Sequence, residues 1–162
     1  MAEQPMHAAA HRFRRRARRL ASLSLRQWWW LVQALVLVPS VAVSLRRRGF
    51  GPTASWLGAH SATRARPNDV ELATRMGVAV NIVAGRKVIG ALCLGRSLVL
   101  WFMLRRRRFD AELVIGAEPV RDGVLPAHAW VELGGVAVND TADIRDRFGS
   151  FGLQLPRLTT TP

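Results

Sequence analysis

Two apolar stretches of helical length, each ending in a cluster of arginines, constrain this chain most, because short β-type runs begin only after the second. The first, Trp28 to Leu45, reads WWWLVQALVLVPSVAVSL between Arg26 and Arg46-Arg47-Arg48; the second, the thirteen residues Leu92 to Leu104, runs into Arg105 to Arg108. A bilayer span needs roughly 20 apolar residues. The first stretch has eighteen and is interrupted by Gln33, Pro39, Ser40 and Ser44, and the second is shorter still. The first is therefore expected as a buried or interfacial helix, bent at Pro39, with Trp28 to Trp30 at its polar boundary. The second is expected as a central core helix whose terminal arginines sit where the macrodipole favours cations. The late start of the first run and the weak Val41-Ala42-Val43 site argue against a signal peptide.

Between the two lies a third helical pattern. Asp69 is the expected N-cap, Val70, Leu72, Ala73, Met76, Val80 and Val83 keep helical spacing, and Gly85 closes a helix predicted over 69–84. From Asp110 the chain reads AELVIGA over 111–117, a turn from Glu118 to Gly123, PAHAWVEL, Gly134-Gly135 and VAVND, the last two runs forming a hairpin. Helices followed by strands give an α+β fold, with a helix packed on a small antiparallel sheet and further helices before it. At 162 residues the chain is one domain's worth of protein. Its expected parts are a flexible basic arm over 1–24, a helical region over 25–66, a core over 67–150 and a tail over 151–162.

Charge first suggests nucleic acid. The 24 basic residues, all arginine except Lys87, against 11 acidic ones leave a net charge of +13. Residues 1–48 hold ten arginines and one acid, Glu3, for +9 of that excess, whereas Asp69 to Asp140 carries only +1. No base-reading aromatic or glycine module is interleaved with Arg12, Arg14, Arg15, Arg16, Arg18 and Arg19, so no nucleic-acid partner is expected. The basic region suits an acidic partner or peripheral membrane contact. A lone cysteine, Cys93, excludes an internal disulfide. With no glycine-rich phosphate loop and no Cys/His metal spacing, no cofactor or metal is expected.

Chemistry centres on the chain order Cys93, His128, Asp140. A cysteine in the first turn of a helix lies beside unpaired amides that stabilise a thiolate and can serve an oxyanion. The histidine would exchange the proton, and the carboxylate would orient the imidazole. Hairpin register decides whether His128 and Asp140 meet. A two-residue Gly134-Gly135 turn sets His128 opposite Thr141, whereas a three-residue turn over Leu133, Gly134 and Gly135 sets it opposite Asp140. The second register is predicted, with Trp130 opposite Val138 as an apolar neighbour of the imidazole.

The block Cys93-Leu94-Gly95-Arg96-Ser97-Leu98, then Leu113-Val114-Ile115-Gly116, then Ala127-His128-Ala129-Trp130-Val131-Glu132 with Asn139-Asp140, resembles the leader peptidase of lasso-peptide biosynthesis. That family lies in the transglutaminase-like branch of the papain-like cysteine proteases, and the resemblance covers about residues 69–141. It implies a papain-like/transglutaminase-like core and a cysteine peptidase that removes the leader from a ribosomally made precursor. The freed amine would then be closed into a macrolactam by a separate ATP-dependent cyclase. By resemblance Cys93 is the nucleophile, His128 the general base and acid, and Asp140 the orienting carboxylate. The implied partners are the precursor, a separate small winged-helix leader-binding protein and the cyclase, in the cytoplasm or at its membrane. Many relatives carry a proline shortly before the cysteine; here the approach is Lys87-Val88-Ile89-Gly90-Ala91-Leu92. The Cys93 N–H is the one oxyanion donor the sequence names. Two other readings stay open: a transglutaminase-type acyl transferase using the same three residues, and a basic membrane- or nucleic-acid-associated protein without catalysis.

Overall fold

A computed structural model describes residues 24–61, 68–85, 93–118 and 126–150. The expected basic arm over 1–24, apart from its last residue, the tail over 151–162 and the approach to Cys93 lie outside the described residues. Among the described residues, four helices of ten residues or more precede the sheet: α1 (Leu25–Arg48), α2 (Phe50–Ala59), α3 (Val70–Ala84) and α4 (Cys93–Arg105). There follow β1 (Ala111–Ala117), β2 (Ala127–Leu133), β3 (Val136–Ala137), a single turn α5 (Ile144–Arg147) and β4 (Gly149–Ser150).

α1 is longer than its apolar run and continues through Pro39. Ser24 starts it with a reciprocal capping box, its hydroxyl accepting from the Gln27 N–H while the Gln27 side chain accepts from the Ser24 N–H at 2.8 Å. It buries one face, Trp30, Ala34, Val38 and Val41, and exposes another that carries Trp28, Trp29, Val32, Leu35 and Val36. By length and composition α1 could cross a membrane, and such a helix is compatible with a soluble or a membrane-associated chain. The Gly49-Phe50-Gly51-Pro52 break is a restart. Gly49, at φ +78°, ends α1, and Pro52 falls in the first turn of α2, where a missing N–H costs no helix bond.

α3 begins as the sequence indicates, the Asp69 carboxylate accepting from the Leu72 N–H at 2.9 Å, and it closes at Gly85. α4 is the central helix. Leu98 through Leu104 are all buried, with α1 and α3 on one side and the sheet on the other. Its terminal arginines do the structural work expected of them. Arg107 donates to the Met103 carbonyl at 2.9 Å and to Gln33 of α1 at 2.7 Å, while Arg105 pairs with Asp110 at 3.3 Å.

The sheet is antiparallel, in the order β3-β2-β1-β4. Alternation along its strands separates two apolar clusters. Leu113, Val131 and Leu133 join the large core around α4, whereas Trp130 packs with Ile144 and Phe148, against Val114 and Ala137, on the opposite face.

The hairpin departs from expectation. Leu133 pairs with Val136 and Glu132 with Ala137, so the turn is the two-residue Gly134-Gly135, with φ +60° and +81°. Both positive φ values suit a tight turn whose twist matches the strands, which accounts for the shorter loop. Trp130 accordingly shares its face with Ala137, and Val138 faces the main core. After Ala137 the chain leaves the ladder and rests on α3. An added Cβ at Gly77 would lie 2.1 Å from the Val138 carbonyl oxygen, so only glycine allows this approach. Gly77→Ala is expected to destabilise the fold by about 1–3 kcal/mol, measured by urea unfolding, because backbone must move to accommodate the methyl.

Candidate active site

Because β3 stops at Ala137, the edge of β2 away from β1 has no strand partner on the N-terminal side of Glu132, and side chains take over that edge. The Val131 carbonyl still accepts from the Val138 N–H at 2.9 Å, but the Val131 N–H donates to Asn139 Oδ1 at 2.8 Å. One step along, Ser97 Oγ donates to the Ala129 carbonyl at 2.8 Å and accepts from Asn139 Nδ2 at 3.0 Å. At the next carbonyl, Ala127, Cys93 Sγ lies at 4.0 Å. Cys93 and Ser97 are four residues apart on α4, hence on one face, so the first turns of the helix lie along the β2 edge. This sets the thiol beside the residue that precedes His128. As the first residue of α4, Cys93 also stands among amides that have no intrahelical acceptor.

His128 and Asp140 meet despite the hairpin register. His128 Nε2 is 2.8 Å from Asp140 Oδ2. The contact forms because Asn139 takes up the strand's bonds with its side chain and its carbonyl accepts from Asn81 Nδ2 of α3 at 2.9 Å. The Asp140 carboxylate is thereby released from strand alternation and can turn toward the imidazole. With Nε2 donating to Asp140, Nδ1 is the basic ring nitrogen left to a thiol or a substrate.

The carboxylate has two further donors, Arg96 Nη2 at 2.9 Å to Oδ2 and the Thr141 N–H at 3.0 Å to Oδ1. Burial acts to raise the Asp140 pKa. The His128 and Thr141 hydrogen bonds and the charges of His128 and Arg96 outweigh it and hold the carboxyl below its ordinary range. The 3.4 Å separation of Arg96 Nη2 from His128 Nε2 is therefore that of two donors converging on one oxygen. Stacking fixes the imidazole from its faces, with ring centroids 5.1 Å from Phe148 and 6.4 Å from Trp130. Gly116, the cross-strand partner of His128, leaves the room for this, since a Cβ there would come within about 3 Å of both aromatic side chains.

Beneath Trp130 is a second polar group. Glu132, 2% exposed, accepts from Trp130 Nε1 at 2.7 Å and from Arg145 Nε at 2.7 Å, and Arg145 Nη2 reaches its other oxygen. Burial pushes this carboxyl upward, but the Arg145 and Trp130 hydrogen bonds and the Arg145 charge outweigh it and leave the pKa lowered.

The three residues singled out from the sequence thus stand in one neighbourhood, Cys93 at the β2 edge and His128 bonded to Asp140. Arg96, Asn139 and Phe148 were not singled out. A helix position three residues after Cys93 is the sequence signal that could have drawn attention to Arg96. Among the described residues, no three His, Cys, Asp or Glu side chains cluster as metal ligands would.

Comparison with known proteins adds three findings. A family model described as the transglutaminase-like superfamily matches residues 35–151. The chain is 37% identical over 68 residues to the microcin J25-processing protein McjB of Escherichia coli, a stretch covering 42% of this chain and 31% of that protein. No solved structure matches.

The Glu132 cluster leads to an expected pH dependence. A carboxyl with a lowered folded-state pKa stabilises the fold above the ordinary carboxylate range, and loses that contribution as pH falls through its folded-state value. Relative to wild type, Glu132→Gln should therefore lose stability at pH 7, and the difference should shrink on acidification below about pH 4, as read by denaturant midpoints at each pH.

Proposed function

From the premise that the chain belongs to the transglutaminase-like superfamily, we propose that it is a cysteine peptidase of lasso-peptide maturation, cleaving the leader from a ribosomally made precursor. The observation that carries this reading is the His128–Asp140 bond beside a cysteine at a helix N-terminus. Membership of the superfamily and the partial likeness to a microcin-processing protein support it.

In the proposed reaction His128 Nδ1 takes the Cys93 proton, and the thiolate adds to the carbonyl carbon at the leader–core junction. The α4 amides, that of Cys93 foremost, stabilise the oxyanion. Collapse of the tetrahedral species breaks the C–N bond, and His128 returns its proton to the departing core amine. Water, deprotonated by His128, then hydrolyses the thioester and frees the leader carboxylate. Asp140 keeps the imidazole in the tautomer with its proton on Nε2 throughout.

The partners of this reading are the precursor, a separate winged-helix leader-binding protein and an ATP-dependent cyclase that uses the freed amine, all acting in the cytoplasm. An acyl transferase would use the same thioester with an amine in place of water. The test incubates the chain with a leader-bearing precursor and its leader-binding partner, without cyclase, and follows products by mass. Two fragments that sum to precursor plus water support the peptidase; a mass gain on an added amine supports the transferase. Folded Cys93→Ala and His128→Ala variants should each lose at least about a thousandfold in cleavage rate, and undiminished cleavage by either would overturn the assignment.

A further inference from the structure

We propose that Arg96 is a positioning residue that cancels the charge of Asp140, so that the pair orients His128 as a neutral amide would. The inference rests on the proposed pairing of Cys93 with His128.

One oxygen, Asp140 Oδ2, accepts from both His128 Nε2 at 2.8 Å and Arg96 Nη2 at 2.9 Å. The side chains of Arg96, Asp140 and His128 are 24%, 15% and 20% exposed, so their charges are screened less than those of surface pairs. Arg96 shares α4 with Cys93, three residues on, which ties the cation to the element carrying the thiol. Its Nε is buried without a hydrogen-bond partner among the described residues. An unpaired buried donor costs stability. The arginine thus accepts a cost in the fold while directing Nη2 at the carboxylate, which points to a role in the site.

The electrostatic consequence is specific. A carboxylate alone beside an imidazole both orients it and favours its protonated form. With a guanidinium on the same oxygen the two charges offset, and orientation remains. Neutral orientation suffices in cysteine enzymes whose third residue is asparagine. Here, however, Asp140→Asn alone strands the Arg96 cation 3.4 Å from the imidazole nitrogen, where it opposes the imidazolium that accompanies a thiolate. Removing the arginine as well restores neutrality. The asparagine variant should therefore be rescued by loss of Arg96, the reverse of what two independent damages would give.

The lone cysteine provides a readout that needs no knowledge of the substrate. Iodoacetamide alkylates thiolate with loss of iodide, and intact mass then reports Cys93 alone. At neutral pH, Asp140→Asn should slow alkylation about tenfold or more. Asp140→Asn with Arg96→Met should recover most of that loss, as should Asp140→Asn with Arg96→Gln. Asp140→Asn with Arg96→Lys, which keeps the charge, should stay slow. Circular dichroism and melting identify the folded variants to be compared, and two neutral replacements guard against one failing to fold. Precursor cleavage by the same set should follow the same order in kcat with KM little changed. Double variants with a neutral residue at 96 that are no faster than Asp140→Asn would overturn the proposal, as would a lysine double variant equal to the methionine one. If the alkylation order holds while no precursor is cut, the peptidase reading fails and the role of Arg96 stands. If cleavage depends on Cys93 but the order fails, the reverse is true.

Discussion

The edge of β2 beyond its two-residue partner is closed by side chains, and the rest of the site depends on that closure. An exposed row of strand N–H and C=O groups must be satisfied somehow, and a helix or loop over the edge is one solution proteins use. Here Asn139 and Ser97 supply the bonds, with Cys93 against the last carbonyl of the row. Because Ser97 of α4 bonds both the Ala129 carbonyl and Asn139, the helix cannot slide along the sheet without breaking these bonds. The position of the thiol relative to the imidazole is thus fixed by the means that satisfies the backbone.

Asn139 is the hub of this arrangement. Its amide bonds Ser97 of α4 and the Val131 N–H of β2, and its carbonyl takes Asn81 of α3. Three elements brought together from distant parts of the chain meet at one residue, which is 6% exposed. A buried, well-satisfied polar network of this kind specifies one arrangement where apolar packing alone would permit several. Asp140 comes next in the chain and inherits that precision. Phe148 and Trp130 hold the histidine ring from its faces, and their approach is possible because Gly116 carries no side chain.

Much of the fold was legible in the sequence. The switch from helical to alternating periodicity after Arg108 located the sheet, the Asp69 cap and Gly85 bounded α3, and the apolar run after Gly90 marked the central helix with Cys93 at its start. The three candidate residues could be picked out because chain order and residue type carry that information. Register could not be read in the same way. The Gly134-Gly135 turn set it, whereas the expected three-residue turn was the one that placed His128 opposite Asp140 in a continuous ladder; a sequence written VAVND reads as continuous alternation and does not show Asn139 substituting a side chain for a strand. Arg96 was hidden for a related reason. Among 24 basic residues its one mark is a place three positions after Cys93, and the carboxylate that gives that place meaning lies 44 positions away in the chain.

The outer face of α1 leaves Trp29 58% and Val36 61% exposed on a helix whose other side is firmly in the core. Apolar surface of that kind gains free energy from whatever covers it, regardless of identity. The aggregation state of the chain is therefore a variable of its own, separate from its folding and from its chemistry. Detergent, vesicles, a protein partner or a second copy would each change the apparent concentration of competent sites without touching Cys93, so specific activity has meaning only alongside a measured particle size.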